Sequence, residues 1–251
     1  MEKLESLIHF LDSRFDPENY PDYPNALNGL QVEGPREIHR VGAAVDASEK
    51  TIRLARERGV DLLLVHHGLF WGGLGRLTGP RYRKVTALIQ AGMALYSLHL
   101  PLDAHPTFGN SALLASELGL KVEGGFAAYE GEHVGWWGRN NTDRAALGAA
   151  LSAAVDGPVH TIPGGPEKIV RIGVVTGGGA GTMKEAADLG LDALVTGEAA
   201  HHHYHEALEV GINLFLAGHY ATETFGVKAL ARHLAREFDV AWEFLDVPTG
   251  L

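Results

Sequence analysis

Gly59-Val60-Asp61-Leu62-Leu63-Leu64-Val65-His66-His67 is the stretch that decides the fold: a glycine opens it, an apolar run fills it and two histidines close it. Asp61–Val65 reads as a buried strand. Working outward, Val41–Val45 is a second short strand, and Ser48 can cap a helix that runs through Arg58 and ends at Gly59. Downstream, a helix near Tyr82–Ala91 leads through Gly92 into a strand at Met93–Leu98. The first helix is marked by Leu4, Leu7, Ile8, Leu11 and Phe15 at helical spacing, and Pro17, Pro21 and Pro24 then force a loop. Alternation of this kind predicts α/β units with a mainly parallel sheet.

The pattern occurs twice. Arg40-Val41-Gly42 matches Arg171-Ile172-Gly173, and Gly59-Val60-Asp61-Leu62-Leu63 matches Gly190-Leu191-Asp192-Ala193-Leu194, both displaced by 131 positions. Ala91-Gly92-Met93-Ala94-Leu95 matches Val210-Gly211-Ile212-Asn213-Leu214 at 119, as expected if the first copy holds an extra loop around Gly68–Pro80. The matches predict two related α/β lobes from an internal duplication. The first spans 1–125 and the second 167–251. A connecting segment, 126–166, carries Trp136 and Trp137 in a strand-like stretch and a helix after Thr142.

Composition limits the chemistry. The chain has 251 residues, 45% hydrophobic and 21% charged, which suits a globular protein with a substantial core. A net charge of −10 works against nonspecific binding to phosphate backbones. With no cysteine, thiolate metal sites, disulfides and cysteine nucleophiles are excluded, so any metal must take nitrogen and oxygen ligands, which 14 histidines can supply. Met1-Glu2-Lys3-Leu4-Glu5 does not read as a secretory leader, and polar residues interrupt the least polar stretch, Val85–Leu102, so a cytoplasmic protein with no membrane span is expected.

Polar ligands recur where predicted strands stop, which is where α/β sheets place their sites. Val65-His66-His67-Gly68, Leu98-His99-Leu100-Pro101-Leu102-Asp103 and Gly218-His219-Tyr220-Ala221-Thr222-Glu223 are three such ends. Neighbouring strand residues point to opposite faces, so His66 and His67 share a site only if the strand ends at them or if each meets a different metal. A helix starting at His219 puts Glu223 one turn away on the same face. Three histidines and two carboxylates suit two divalent ions with coordination positions left for water. A fourth segment, Thr196 to His205, reads as a solvated polar face, with a third metal on His201 and His205 beside Glu198 as the alternative. Gly177-Gly178-Gly179-Ala180-Gly181 reads as a tight strand-to-helix turn, with phosphate cradling the alternative, and Thr182 with Glu185 as a capping box.

These segments, with Asn28-Gly29-Leu30-Gln31-Val32-Glu33-Gly34 and the continuations to Trp71 and Pro106, resemble the GTP cyclohydrolase I type 2 family, the Nif-three-like proteins, in the short bacterial form and nearly end to end. The resemblance implies two α/β lobes around a dinuclear metal site and a hexameric ring. His67 and Asp103 would bind one ion, His66 and His219 the other, and Glu223 would bridge them. The metal would be zinc, iron, manganese or cobalt. His99 matches a further pocket histidine, a candidate for second-sphere support or proton transfer, and His202 and His205 align with pocket-lining positions. The implied reaction is hydrolytic: attack on the purine imidazole carbon of GTP, with release of formate toward dihydroneopterin triphosphate. A dinuclear phosphoesterase is the nearest alternative. A different class, a non-catalytic metal-binding ring with a storage, regulatory or nucleic-acid role, would draw on Arg76, Arg81, Arg83 and Lys84, which otherwise read as a solvated turn.

Overall fold

The computed structural model describes residues 1–24, 26–73 and 75–251; Leu74, inside the loop expected at Gly68–Pro80, and Asn25 lie outside the described residues. The chain opens with β1 (Glu2–Lys3), α1 (Leu4–Phe15), β2 (Gly29–Val32), β3 (Glu37–Ile38), β4 (Arg40–Asp46), α2 (Glu49–Glu57), β5 (Leu62–His67), α3 (Gly79–Ala91) and β6 (Ala94–Ser97). There follow α4 (Leu100–Asp103), α5 (Asn110–Glu117), β7 (Lys121–Tyr129), β8 (Glu132–Asp143), α6 (Arg144–Val155), β9 (His160–Pro163) and β10 (Lys168–Val174). The last elements are α7 (Met183–Asp188), β11 (Ala193–Thr196), α8 (His202–Val210), β12 (Asn213–Leu216), α9 (His219–Thr222), α10 (Thr224–Phe238) and β13 (Ala241–Phe244). Contacts divide the chain into one unit of Met1–Leu102 with Gly226–Val247 and another of Asp103–Phe225 with Pro248–Leu251.

The first unit is built on a five-stranded sheet ordered β13-β4-β5-β6-β2, parallel throughout except for β2. Ser48 caps α2 as its sequence position requires, its hydroxyl accepting the Thr51 amide at 3.0 Å. Ile52 and Ala55 of that helix, with Leu88 of α3, pack on Leu63, Val65 and Leu95 of the sheet. Each fully buried leucine or isoleucine contributes about 1.5–3 kcal/mol by leaving water.

The second unit has a six-stranded mixed sheet, β7-β8-β10-β11-β12-β9, parallel only among β10, β11 and β12. Both faces are covered. Ala193 and Val195 join Leu114, Leu147 and Leu151 on one side, while Leu194 and Leu214 join Met183, Ala186 and Ala207 on the other. Trp136 and Trp137 lie on β8, paired with Val174 and Gly173.

The repeat is visible in individual atoms. The Asp61 carboxylate accepts the backbone amides of His39 and Arg40 at 2.7 and 2.9 Å, and Asp192 accepts those of Val170 and Arg171 at 2.8 and 2.9 Å. The Asp61 amide donates to the Arg40 carbonyl and the Asp192 amide to the Arg171 carbonyl. Each aspartate thereby fixes one parallel strand against the next. The glycines of the repeat serve close packing: a Cβ on Gly42 would stand 2.9 Å from Val60 Cγ2, and one on Gly173 would stand 2.7 Å from Leu191 Cδ1.

Two expectations are corrected. Thr182 and Glu185 form no capping box: Thr182 donates to the Gly179 carbonyl, and the Glu185 carboxylate instead accepts the Ala127 amide at 3.0 Å. Ala127 has φ 58°, so its amide is turned out of the regular strand ladder and takes a side-chain acceptor. Second, the chain after Phe225 does not stay with the second copy, because β13 pairs in parallel with β4 in the first sheet. Asp192→Ala removes one acceptor shared by two amides and should lower unfolding stability by about 1–3 kcal/mol. Urea titration followed by circular dichroism checks this, and an unchanged midpoint would show that the clamp is dispensable.

Candidate metal centre

In the first unit, β5 ends on His66 and His67, so the strand's alternation stops where it would have separated them; their ring centroids are 4.7 Å apart. Fully buried His66 donates from Nδ1 to the Leu98 carbonyl at 2.8 Å, which makes Nε2 the nitrogen with the lone pair. His67 holds Asp46 Oδ1 with Nδ1 at 2.9 Å, and Asp46 is its register partner on β4. His99, between β6 and α4, holds Asp22 Oδ1 with Nδ1 at 2.8 Å. One nitrogen from each of His66, His67 and His99 lies within 4.8 Å of the others.

The loop before β2 sets the third ring. Asp22 accepts from Asn28 Nδ2 at 2.8 Å, from the Tyr23 amide at 2.7 Å and from the Leu100 amide at 3.0 Å, while Asn28 Oδ1 accepts the His99 amide at 2.8 Å. Burial pushes the Asp22 carboxyl up, but the His99 bond and charge, aided by Asn28 and Tyr23, outweigh it and hold it below the usual carboxylate range. The Trp71 ring meets His99 edge-on with centroids 4.8 Å apart.

In the second unit, buried Asp103 accepts from Asn110 Nδ2 at 2.8 Å through Oδ1. His219 opens α9, and Glu223 falls at the break before α10, one turn later on the same side. His219 Nε2 lies 3.1 Å from Glu223 Oε2, and its Nδ1 lies 3.0 Å from Glu198 Oε1. The bond to Glu223, against burial and reinforced by both carboxylate charges, pushes the His219 pKa up to about 9. An ion ligated there must displace that proton.

Gly177 makes room for this arrangement. It sits at φ +64°, and a Cβ there would fall on Glu223 Oε1 and within 3.3 Å of His219 Nε2. Its amide donates to Thr222 Oγ1 at 3.0 Å, and the Gly179 amide donates to Thr196 Oγ1 at 2.9 Å. Both amides are engaged inside the protein, which supports the tight-turn reading of Gly177–Gly181.

His205 is exposed on α8, its ring 6.1 Å from that of His201, and among the described residues it shares no cluster of potential ligands with His219. Sequence reasoning missed Asp22 and Asp46, the oxygens that orient His99 and His67, and set Glu198 beside His201 and His205 rather than at His219. One signal was present: Glu198 stands 131 positions after His67, the offset of the repeat.

The fold and these groups define an α/β protein with duplicated sheet elements whose buried histidine, aspartate and glutamate side chains could bind metal. Each of His66, His67, His99 and His219 has Nδ1 on an oxygen, the support that metal-ligating imidazoles ordinarily have, so the residues fit such a group. Residues 2–249 match the family described as Duf34/NIF3 (NGG1p interacting factor 3), and the chain belongs to it. A Deinococcus radiodurans relative, named GTP cyclohydrolase 1 type 2 homolog, is 43% identical over 98% of this chain and 94% of its own. One from Halobacterium salinarum with the same name is 47% identical over 92% and 93%. Among solved structures, TTHA1606 of Thermus thermophilus superposes with a TM-score of 0.90 at 40% identity, covering 100% of both chains.

Gly177→Ala should displace the Glu223 carboxylate and lower bound divalent metal while leaving the far-ultraviolet dichroism intact; elemental analysis showing wild-type metal would refute that role for the glycine. For Asp22, a folded pKa below its unfolded value means stability that is full above the ordinary carboxylate range and lost as pH falls through the folded value. Asp22→Asn should therefore cost about 1–3 kcal/mol near neutral pH, with the gap to wild type closing below pH ~4. Thermal melts across pH 3–7 (roughly the carboxylate window) test the sign, and a gap that widened in acid would contradict it.

Proposed function

We propose that the protein is a metal-dependent hydrolase carrying two divalent ions per chain, with His66, His67, Asp103, His219 and Glu223 as ligands and a purine nucleotide as substrate. The observation that carries this reading is the set of tethered imidazoles, each with Nδ1 committed to an oxygen. The relatives' shared name, GTP cyclohydrolase 1 type 2 homolog, supports GTP as the first substrate to try, with opening of the imidazole ring and release of formate. Zinc, iron, manganese and cobalt all accept imidazole and carboxylate ligands.

Bound divalent ions would supply a Lewis acid and a water acidified toward pKa ~7. The chain's own residues do the rest. His66 and His67 would ligate through Nε2, because Nδ1 is held at the Leu98 carbonyl and the Asp46 carboxylate. Glu223, only 3% exposed, would supply the negative charge that offsets bound dications. His99 is the proton-transfer group: with Nδ1 fixed on Asp22, Nε2 is the atom that gives or takes the proton. We also propose assembly into a closed ring of six chains, in line with the family resemblance.

Protein purified without added metal, then exchanged into metal-free buffer, should retain two ions by elemental analysis, and GTP should yield formate with at least one metal form. Glu223→Gln keeps size but removes the charge, so it should lose at least one ion and the hydrolysis, whereas His205→Ala should keep both. The reverse pattern would move the centre to α8. Light scattering should give about six times the 26.9 kDa chain mass, and a concentration-independent monomer would end the ring proposal.

A further inference from the structure

We propose that the first turn of α8 forms a further, labile site for a divalent transition-metal ion, with His202, His203 and Glu206 as ligands. One ligating atom from each of the three lies within 4.8 Å of the others. Glu206 follows His203 by three positions and His202 by four, the spacings that bring helix side chains onto one surface. The His202 and His203 rings are adjacent, with centroids 4.1 Å apart. Glu206 is half-buried, and among the described residues no lysine or arginine pairs with it. Two imidazoles and an uncompensated carboxylate are thus gathered on a nine-residue helix, joined by no hydrogen bond or ion pair to one another among the described residues. A cation is the partner that satisfies all three.

The donor set selects the class of ion. Two nitrogens in three ligands favour zinc, nickel, cobalt or copper over magnesium and calcium, which prefer oxygen shells. Metal–nitrogen bonds of roughly 2.0–2.1 Å are within reach of small side-chain rotations from this spacing. His203 Nδ1 now accepts the Ala200 amide at 2.9 Å. An ion taking that lone pair releases an amide on an exposed residue, which water can satisfy. Because His202 is exposed and only three protein ligands are present, exchange with solvent is fast. This separates the site from the ions of the proposed hydrolytic centre. His201 and His205 stand 6.1 Å apart as a separate ring pair and are not required.

The test uses full-length protein saturated with zinc, passed into metal-free buffer and then titrated with zinc by calorimetry. Wild type should take up one further equivalent per chain that the double variant H202A/H203A does not. Glu206→Gln leaves the Ala200 contact untouched and should weaken that equivalent at least tenfold; H201A/H205A should retain it, and magnesium in place of zinc should give no such equivalent. Zinc should also shift the His202 and His203 side-chain resonances together in wild type. No further equivalent in wild type, an undiminished one in H202A/H203A, its loss in H201A/H205A, or equal uptake of magnesium would each overturn the site. The ions retained after buffer exchange report separately on the hydrolytic centre, so its absence alongside a normal extra equivalent would refute that function and support this site.

Discussion

Two carboxylates fix the strand register that brings Asp46 to His67 and Glu198 to His219. Asp61 and Asp192 each accept the two amides just ahead of the first paired residue of the preceding parallel strand, and each returns its own amide to that strand. Parallel strands have no hairpin to set their register, so a fixed point at the beginning is needed to determine what emerges at the end. With Val41 opposite Leu62, Asp46 comes opposite His67, and the aspartate–histidine contact follows. With Ile172 opposite Ala193, the turns after β10 and β11 meet, so that Gly177 accepts the amides of Gly197 and Glu198. The glutamate is thereby brought to His219. A slip of one residue would turn the histidines toward the opposite faces of the sheet.

Much of this was legible in sequence because it is written in local pattern. Apolar runs opened by glycine, the Ser48 cap and the repeated Gly-x-Asp signal are read within a few residues of one another. The rest depends on pairing at a distance. Nothing near Asp22 announces that its partner is His99, 77 positions on, and nothing near Glu185 announces that Ala127 will claim its carboxylate. Nor does the alternation of Ala241–Phe244 specify which of two similar sheets it joins; its seat beside β4 is settled by tertiary packing. The second sheet is mixed rather than mainly parallel because 126–166, read as a connecting segment, supplies β8 and β9 as antiparallel neighbours of the parallel trio.

The two copies also show how one scaffold acquires different chemistry. At corresponding positions the first copy has His67 and the second Glu198, and both contact an oppositely matched group: an aspartate for the histidine, a histidine for the glutamate. The backbone clamp and its buried glycine neighbours are retained in both. The ends of the strands, where no core packing constrains the side chain, carry the difference.

The route of the chain gives these units unequal histories during synthesis. Apart from four terminal residues, the second unit is one continuous stretch, Asp103–Phe225, and its strands can pair as soon as that stretch has left the ribosome. The first unit begins earlier but finishes later. Its sheet lacks an edge until β13 arrives, and β4 is joined to that strand across about two hundred residues of intervening chain, a closure of very high contact order. Until then the flank of β4 is an open parallel edge able to recruit a strand from another nascent copy. The carboxyl-terminal helix and strand therefore act as a late seal, and premature termination before Ala241 exposes the amino-terminal half rather than the part of the chain that was cut.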